Sequence, residues 1–315
     1  MNLKRKFLVL ATGIAISGST LAAQFEIGSV FASVGDGKVD VYTQTGTLIR
    51  TLDTTLGGFT TGSTFDQSGN FYVTAFEANK VSKFDSSGTL INANWATGLA
   101  GNESIVFDKA GDAYIGNAGT NKILKVNSSG VAIKTYTVQS NTDWIDLAAD
   151  QTTLIYSDES STLRQWNVGT DTALPNFASI GGNNYAKRIR PNGDLMVANS
   201  SGNVYRFDSA GVLKQTYATG IGSVFALNLD QSGNSFWTGA TGGTTVEQID
   251  IASGAILQKW NTKGGSLFGL SVLGEIQAGG GGVVAAVPEP ETYALMLVGL
   301  AATALLARRR TRAHS

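Results

Sequence analysis

One unit of about 40 residues recurs along the body of this chain, and that recurrence restricts what it can fold into more than any other feature. FDQSGNFYV from Phe65, FDKAGDAYI from Phe107 and LDQSGNSFW from Leu229 are copies of one pattern, with weaker copies at AADQTTLIY from Ala148 and IRPNGDLMV from Ile189. Their key positions, Asp66, Asp108, Asp150, Arg190 and Asp230, are spaced 42, 42, 40 and 40 residues apart. A second register confirms the repeat with six members: Gly46, Gly88, Gly130, Gly169, Gly211 and Gly254. Periods of this length, carrying short β patterns, indicate propeller blades.

Within one unit the strands are legible. Phe71 to Thr74 is an aromatic and β-branched run, Lys80 to Phe84 alternates around Val81, and DSSG turns the chain into Thr89, Leu90 and Ile91. Asp at the first place and Gly at the fourth, as in Asp66 to Gly69, suit a tight turn, which accounts for most of the 39 glycines. Helical periodicity is absent from the body, so the expected class is all-β. The first unit starts near Ser29 to Val34 without a strand before it, and the missing piece stands at the far end, in SLFGLSVL from Ser266 to Leu273. The expectation is a six-bladed β-propeller over residues 24–273, closed by pairing of this C-terminal inner strand with the N-terminal blade.

The DxxGNxYV pattern and the NKIxKF/V pattern (Asn79 to Phe84, Asn121 to Val126) resemble those of the NHL-repeat, streptogramin lyase-like and gluconolactonase-like propellers over about 240 residues. These motifs report blade folding and carry no catalytic residue, and fold alone does not assign chemistry.

Both ends carry sorting features. Lys4, Arg5 and Lys6 precede an apolar run from Phe7 to Ile16, and Leu21, Ala22 and Ala23 precede ordinary sequence, which reads as a signal peptide over residues 1–23. At the other end Pro288, Glu289 and Pro290 precede an uncharged run, Tyr293 to Ala307, closed by Arg308, Arg309 and Arg310. Fifteen helical residues rise roughly 22 Å, short of a hydrocarbon core of about 30 Å, so the run makes a marginal membrane helix at about 292–307 with its arginines held inside. This tail resembles the PEP-CTERM sorting signal, placed at 287–310 with a cytoplasmic tail at 311–315. The resemblance implies an exosortase-type membrane transpeptidase as partner and transient anchoring by the C-terminal helix. Residues 274–286, rich in Gly, Ala and Val, read as a flexible linker that lets the processing enzyme reach its site.

Charge and composition exclude several functions. Seven of the 23 Lys and Arg and two of the 24 Asp and Glu lie in the terminal segments, leaving the body with 16 basic and 22 acidic residues, near −6. That sign argues against nucleic acid as a partner. Cysteine is absent, and the single histidine, His314, lies beyond the sorting arginines. Ser-His-Asp and Cys-His catalysis and histidine metal ligation are therefore excluded from the processed body.

A carboxylate site is the surviving catalytic option. Glu103, Asp143 and Asp146 precede or lie in successive inner strands and are the candidate metal ligands, with Ca²⁺ as the ion that hard oxygen donors would take. Asn102, Asn184 and Trp144 are the candidate ligand-binding residues beside them. The competing reading is that polar groups at strand ends cap backbone or meet channel water. Trp95, Trp144, Trp166, Trp237 and Trp260 read either as sugar platforms or as packing between blades. Lys187, Arg188 and Arg190, the only basic cluster of the body, read as a solvated edge or as a contact for an anionic polysaccharide.

The chain is thus expected to be exported across an inner membrane, to the cell surface or extracellular matrix. Two functions remain: a non-catalytic binding or scaffold protein associated with exopolysaccharide or biofilm, contacting polysaccharide or a surface protein, and an extracellular metal-dependent hydrolase or lactonase.

Overall fold

The computed structural model describes residues 25–280, and these form 24 β-strands with no helix among them. The strands group into six four-stranded antiparallel sheets, the blades of a propeller. β4 (Thr60–Phe65), β8 (Asn102–Phe107), β12 (Trp144–Leu147), β16 (Asn184–Ile189), β20 (Val224–Leu229) and β24 (Gly269–Val272) are the inner strands. Each packs against the next, and β24 returns to β4, so the inner strands form a closed ring around a channel. Every residue of these six strands is buried. Covered on both sides, these strands bury polar side chains such as Thr61, Glu103 and Lys187 alongside apolar ones.

The closing blade has the order β24, β1 (Val30–Ser33), β2 (Lys38–Tyr42), β3 (Leu48–Asp53). Its inner strand comes from the end of the chain, with Val30 opposite Val272 and Ser33 opposite Gly269. The edge that β1 would otherwise expose is thereby paired, as the truncated first unit predicts.

The repeating aspartates build the turns at the end of the channel where the inner strands finish, the exit face. Asp66 Oδ1 accepts the backbone N–H groups of Ser68 (2.9 Å) and Asn70 (3.0 Å), and Asp108 Oδ1 does the same for Ala110 and Asp112 at 3.0 Å. A short acceptor side chain two and four residues upstream satisfies donors that the turn cannot otherwise pair. The inner strands begin at the opposite, mouth face.

The outer strands carry the blade-to-blade lock. The penultimate residues of β7 (Leu90–Ala96) and β23 (Ile256–Asn261) are Trp95 and Trp260. Trp95 Nε1 donates to Ser128 O (3.3 Å) and Trp260 Nε1 to Gln44 O (3.0 Å), each in a turn of the following blade. That turn contains Gly130 in one case and Gly46 in the other, both at positive φ, and a Cβ at either would collide with the tryptophan. At these two members of the second glycine register, a tryptophan of the preceding blade leaves no room for a side chain.

Candidate functional site

Three acidic side chains meet at the mouth of the channel. Glu103 is the second residue of β8, Asp143 immediately precedes β12, and Glu159 stands in the turn between β13 (Thr153–Ser157) and β14 (Thr162–Asn167). One carboxylate oxygen from each lies within 4.8 Å of the other two. Ser104, beside Glu103, donates from Oγ to Asp143 O (2.7 Å) and accepts from Ile145 N (3.2 Å), so the two inner strands are pinned together next to the carboxylates they present. Burial drives the Glu103 carboxyl well above its ordinary range, with the charges of Asp143 and Glu159 adding to the effect. Burial and the Glu159 charge push Asp143 up to about 7, and burial raises Glu159.

Lys187 lies fully buried beneath this cluster. Its Nζ donates to Trp144 O (2.8 Å), Ser157 Oγ (2.7 Å) and Tyr185 O (3.2 Å). Ser157 gives its own hydroxyl proton to Asn184 O (2.9 Å), so it acts as acceptor toward the lysine. Three acceptors suit an ammonium, which has three hydrogens to give. Burial nevertheless pushes the amine down to about 7, against the opposing pull of the Asp143, Asp146 and Glu103 charges. The site is therefore a buried arrangement of three acids and one amine.

An aromatic group adjoins it. The Trp144 and Phe225 ring centroids stand 5.4 Å apart although β16 separates their strands, and Tyr185 packs against Phe225 at 4.7 Å with the rings tilted by 48°. Contact between side chains two blades apart places these rings in the channel, where they narrow it below the mouth. The Trp144 Nε1 atom is buried without a hydrogen-bond partner.

The other candidate residues lie in different surroundings. Asp146, at the exit end of β12, accepts from Ile189 N (2.7 Å) and Leu147 N (3.0 Å) and lies near Arg188 and Glu275, outside the mouth cluster. Asn102 Nδ2 donates to Lys80 O (2.7 Å) and Asn184 Nδ2 to Ser160 O (2.9 Å). Thr60 and Thr142 hold the equivalent carbonyls of Lys38 and Lys122, so these four positions clip β4, β8, β12 and β16 to the blade before each. Glu159 escapes sequence reasoning because it stands in an outer turn; its only signal is an acidic residue in a DESS turn, where its φ is 55°.

The basic cluster requires a correction. Lys187 and Arg188 are 0% and 7% exposed, so no solvated edge exists there. Both belong to an inner strand, where every side chain is covered, and each is balanced by acids that are distant in sequence. Trp95, Trp166 and Trp237 are likewise buried, which is the packing alternative, whereas Trp144 is buried in the channel and not between neighbouring blades.

Residues 274–280, at the start of the stretch read as linker, lie across the exit of the channel. Glu275 accepts from Arg188 Nε (2.7 Å), Asn228 Nδ2 (2.7 Å), Leu229 N (2.8 Å) and Gln277 Nε2 (3.1 Å). Gln277 Nε2 also reaches Thr64 Oγ1 (3.0 Å), and Gln151 Nε2 donates to Gly279 O (2.9 Å). At Gly279 the strap passes so close to Leu147 that a Cβ would strike the Leu147 carbonyl. The strap thus spans from β24 to the end of β12. A separate open cleft of about 580 Å³, lined by Asp36, Lys38, Asp40 and Lys263 among others, touches neither the acidic cluster nor the strap.

Pro288, Glu289, Pro290, Arg308, Arg309 and Arg310 lie outside the described residues, as do the signal peptide and the predicted helix at 292–307. Residues 286–310 match the PEP-CTERM protein-sorting motif. The chain thus carries the tail of an exported, exosortase-processed protein with a transient C-terminal membrane anchor. No curated protein matches the chain. Among solved structures, the WD40 β-propeller domain of Doa1 is similar, with a TM-score of 0.59 and 13% identity over 77% of this chain and 81% of that one. At that identity the likeness shows the fold alone.

Proposed function

We propose that the protein is a sorted propeller of the cell surface or extracellular matrix that works by binding, with exopolysaccharide or a surface protein as its partner. The observation that carries this reading is the tail: the sorting motif at 286–310 follows a closed disc whose processed form holds neither histidine nor cysteine. A rigid disc offers two broad faces for contact and needs no chemistry of its own. Incubating the processed protein with the host's purified exopolysaccharide, and measuring co-sedimentation, tests it; protein that stays in the supernatant at every polysaccharide concentration removes the polysaccharide assignment.

One observation favours a second reading, a calcium-dependent hydrolase or lactonase. Glu103, Asp143 and Glu159 are hard oxygen donors, and no hydrogen bond to their carboxylates occurs among the described residues. Their separation fits a Ca²⁺ ion, whose oxygen ligands stand at roughly 2.3–2.6 Å. These three residues would hold the ion, which would supply Lewis-acid polarisation of a carbonyl. The Lys187 charge beneath them would lower the net negative charge the ion meets. Hydrolysis of an aldonolactone that rises with added calcium and is lost in Glu159→Gln would establish this reading over the first.

A further inference from the structure

The strap carries an inference about which face of the disc meets the membrane. We infer that in the anchored precursor the exit face looks toward the lipid bilayer and the mouth face, with Glu103, Asp143 and Glu159, looks away from it. The inference rests on the tail acting as a membrane anchor.

The take-off point is fixed by named contacts. Glu275 is buried among Arg188, Asn228 and Leu229, and Gly279 is held by Gln151 against the end of β12. The chain therefore leaves the disc from within the ring of inner-strand ends, on the exit side. From Gly280 only five residues, 281–285, precede the matched sorting motif, and eleven, 281–291, precede the apolar run at 292–307.

Covalent geometry then sets the reach. Eleven residues span at most ~40 Å even when fully extended. To bring the mouth face toward the bilayer, the chain would first have to cross the exit face to the rim. The three gaps between four strands, about 4.8 Å each, make that path ~15 Å. It would then climb the depth of the disc, ~20 Å for strands of this length. That route takes ~35 Å of a tether that reaches ~40 Å only when fully extended, whereas the direct route from the exit face uses almost none of it.

Charge defines how the exit face meets the lipid. Its turns carry Asp66, Asp85, Asp150, Asp208, Asp230 and Asp250 against fewer basic groups, Lys109, Arg190 and the Lys214 that pairs with Asp208. Acidic turns are repelled by an anionic leaflet, so the face stands over the bilayer without embedding in it.

The chain has no cysteine, so single-cysteine variants report one position each. Ala110→Cys and Ser232→Cys lie in exposed turns of the exit face, and Lys122→Cys and Lys263→Cys are exposed at the mouth. The full chain with its tail uncut is labelled with a donor dye and reconstituted into phosphatidylcholine and phosphatidylglycerol vesicles carrying an acceptor-labelled lipid. Flotation on a density gradient reads anchoring independently of orientation. In the floating fraction, energy transfer from the two exit-face positions should exceed that from the two mouth positions at least twofold. Equal transfer, the mark of a disc standing on edge or tumbling, or stronger transfer from the mouth overturns the inference. Failure to float removes the anchor itself and the inference with it.

Discussion

Arg188 Nε donates to Glu275 Oε1 at 2.7 Å across 87 residues of chain, with both side chains buried at the exit of the channel. The pair joins an inner strand to the strap that runs toward the sorting tail. Removing one partner of a buried ion pair leaves an uncompensated charge, which costs about 3–5 kcal/mol. Glu275→Ala should therefore lower stability by roughly that amount. The double variant Arg188→Met, Glu275→Ala should regain part of it, since it removes the unpaired guanidinium, while Asp146 loses its cation and Asn228 and Leu229 lose their acceptor. Urea unfolding of both variants beside the parent measures this, and a double variant no more stable than the single one would show that the pair is not coupled.

Gly130 faces the Trp95 carbonyl of the preceding blade at positive φ. Gly130→Ala should cost roughly 2–3 kcal/mol, from backbone strain and displacement of the tryptophan. For a domain of this size that is a fall in Tm of about 5–10 °C. Gly98→Ala has open space around it and pays only the conformational cost, so a thermal melt in which both variants fall equally would refute the inter-blade lock.

Acidity should stabilise the metal-free protein over part of its range. Burial raises the carboxyls of Glu103, Asp143, Asp146 and Glu159, to about 7 for Asp143 and about 6 for Asp146. The folded state binds these protons more tightly than the unfolded chain, so their contribution is fully present below the ordinary carboxylate range and is lost as pH rises through 6 to 7. Lys187, lowered to about 7, acts in the opposite sense and adds stability as pH rises from 7 toward its ordinary value. Asp85, Asp150, Asp158, Asp208 and Asp250 are held low, chiefly by hydrogen bonds that outweigh burial at the first three, and withdraw their support only in stronger acid. In chelator, Tm should rise by roughly 5 °C between pH 7 and pH 5. A Tm that falls steadily over that interval would contradict the buried acids.

Calcium separates the acids by location. If Glu103, Asp143 and Glu159 hold the ion, millimolar Ca²⁺ at pH 8 raises Tm, by about 2.7 kcal/mol of stability at a hundredfold excess over Kd. Glu159→Gln should abolish the rise, and Asp146→Asn, altered at the exit end, should keep it. Loss in Asp146→Asn with retention in Glu159→Gln would place the ion elsewhere.

Much of the fold was legible because the period, the Asp-x-x-Gly turns and the truncated first unit are local signals. Closure by β24 could be read because a strand stood unpaired at each end. The site was less legible. Glu103 and Asp143 can be named from sequence because they stand at or just before the start of inner strands, but Glu159 reaches the mouth from a turn one strand further out, a placement that spacing does not encode. Lys187 and Arg188 look like surface residues in sequence. Their burial follows only from long-range partners: the three acceptors around Lys187 lie on β12, β13 and β16, and Glu275 follows the last blade. The strap also escaped notice, because Gly and Ala around Glu275 and Gln277 carry the composition of a spacer while two polar side chains hold it in place.

Pairing of β24 with β1 has a consequence for a chain threaded outward N-terminus first. The strand that closes the circle is the last of the 24 to emerge, so until residue 272 has crossed, the nascent protein is an open arc with β1 bare at one end. Closure of the circle and arrival of the apolar run at Tyr293 are thus only about 20 residues of chain apart.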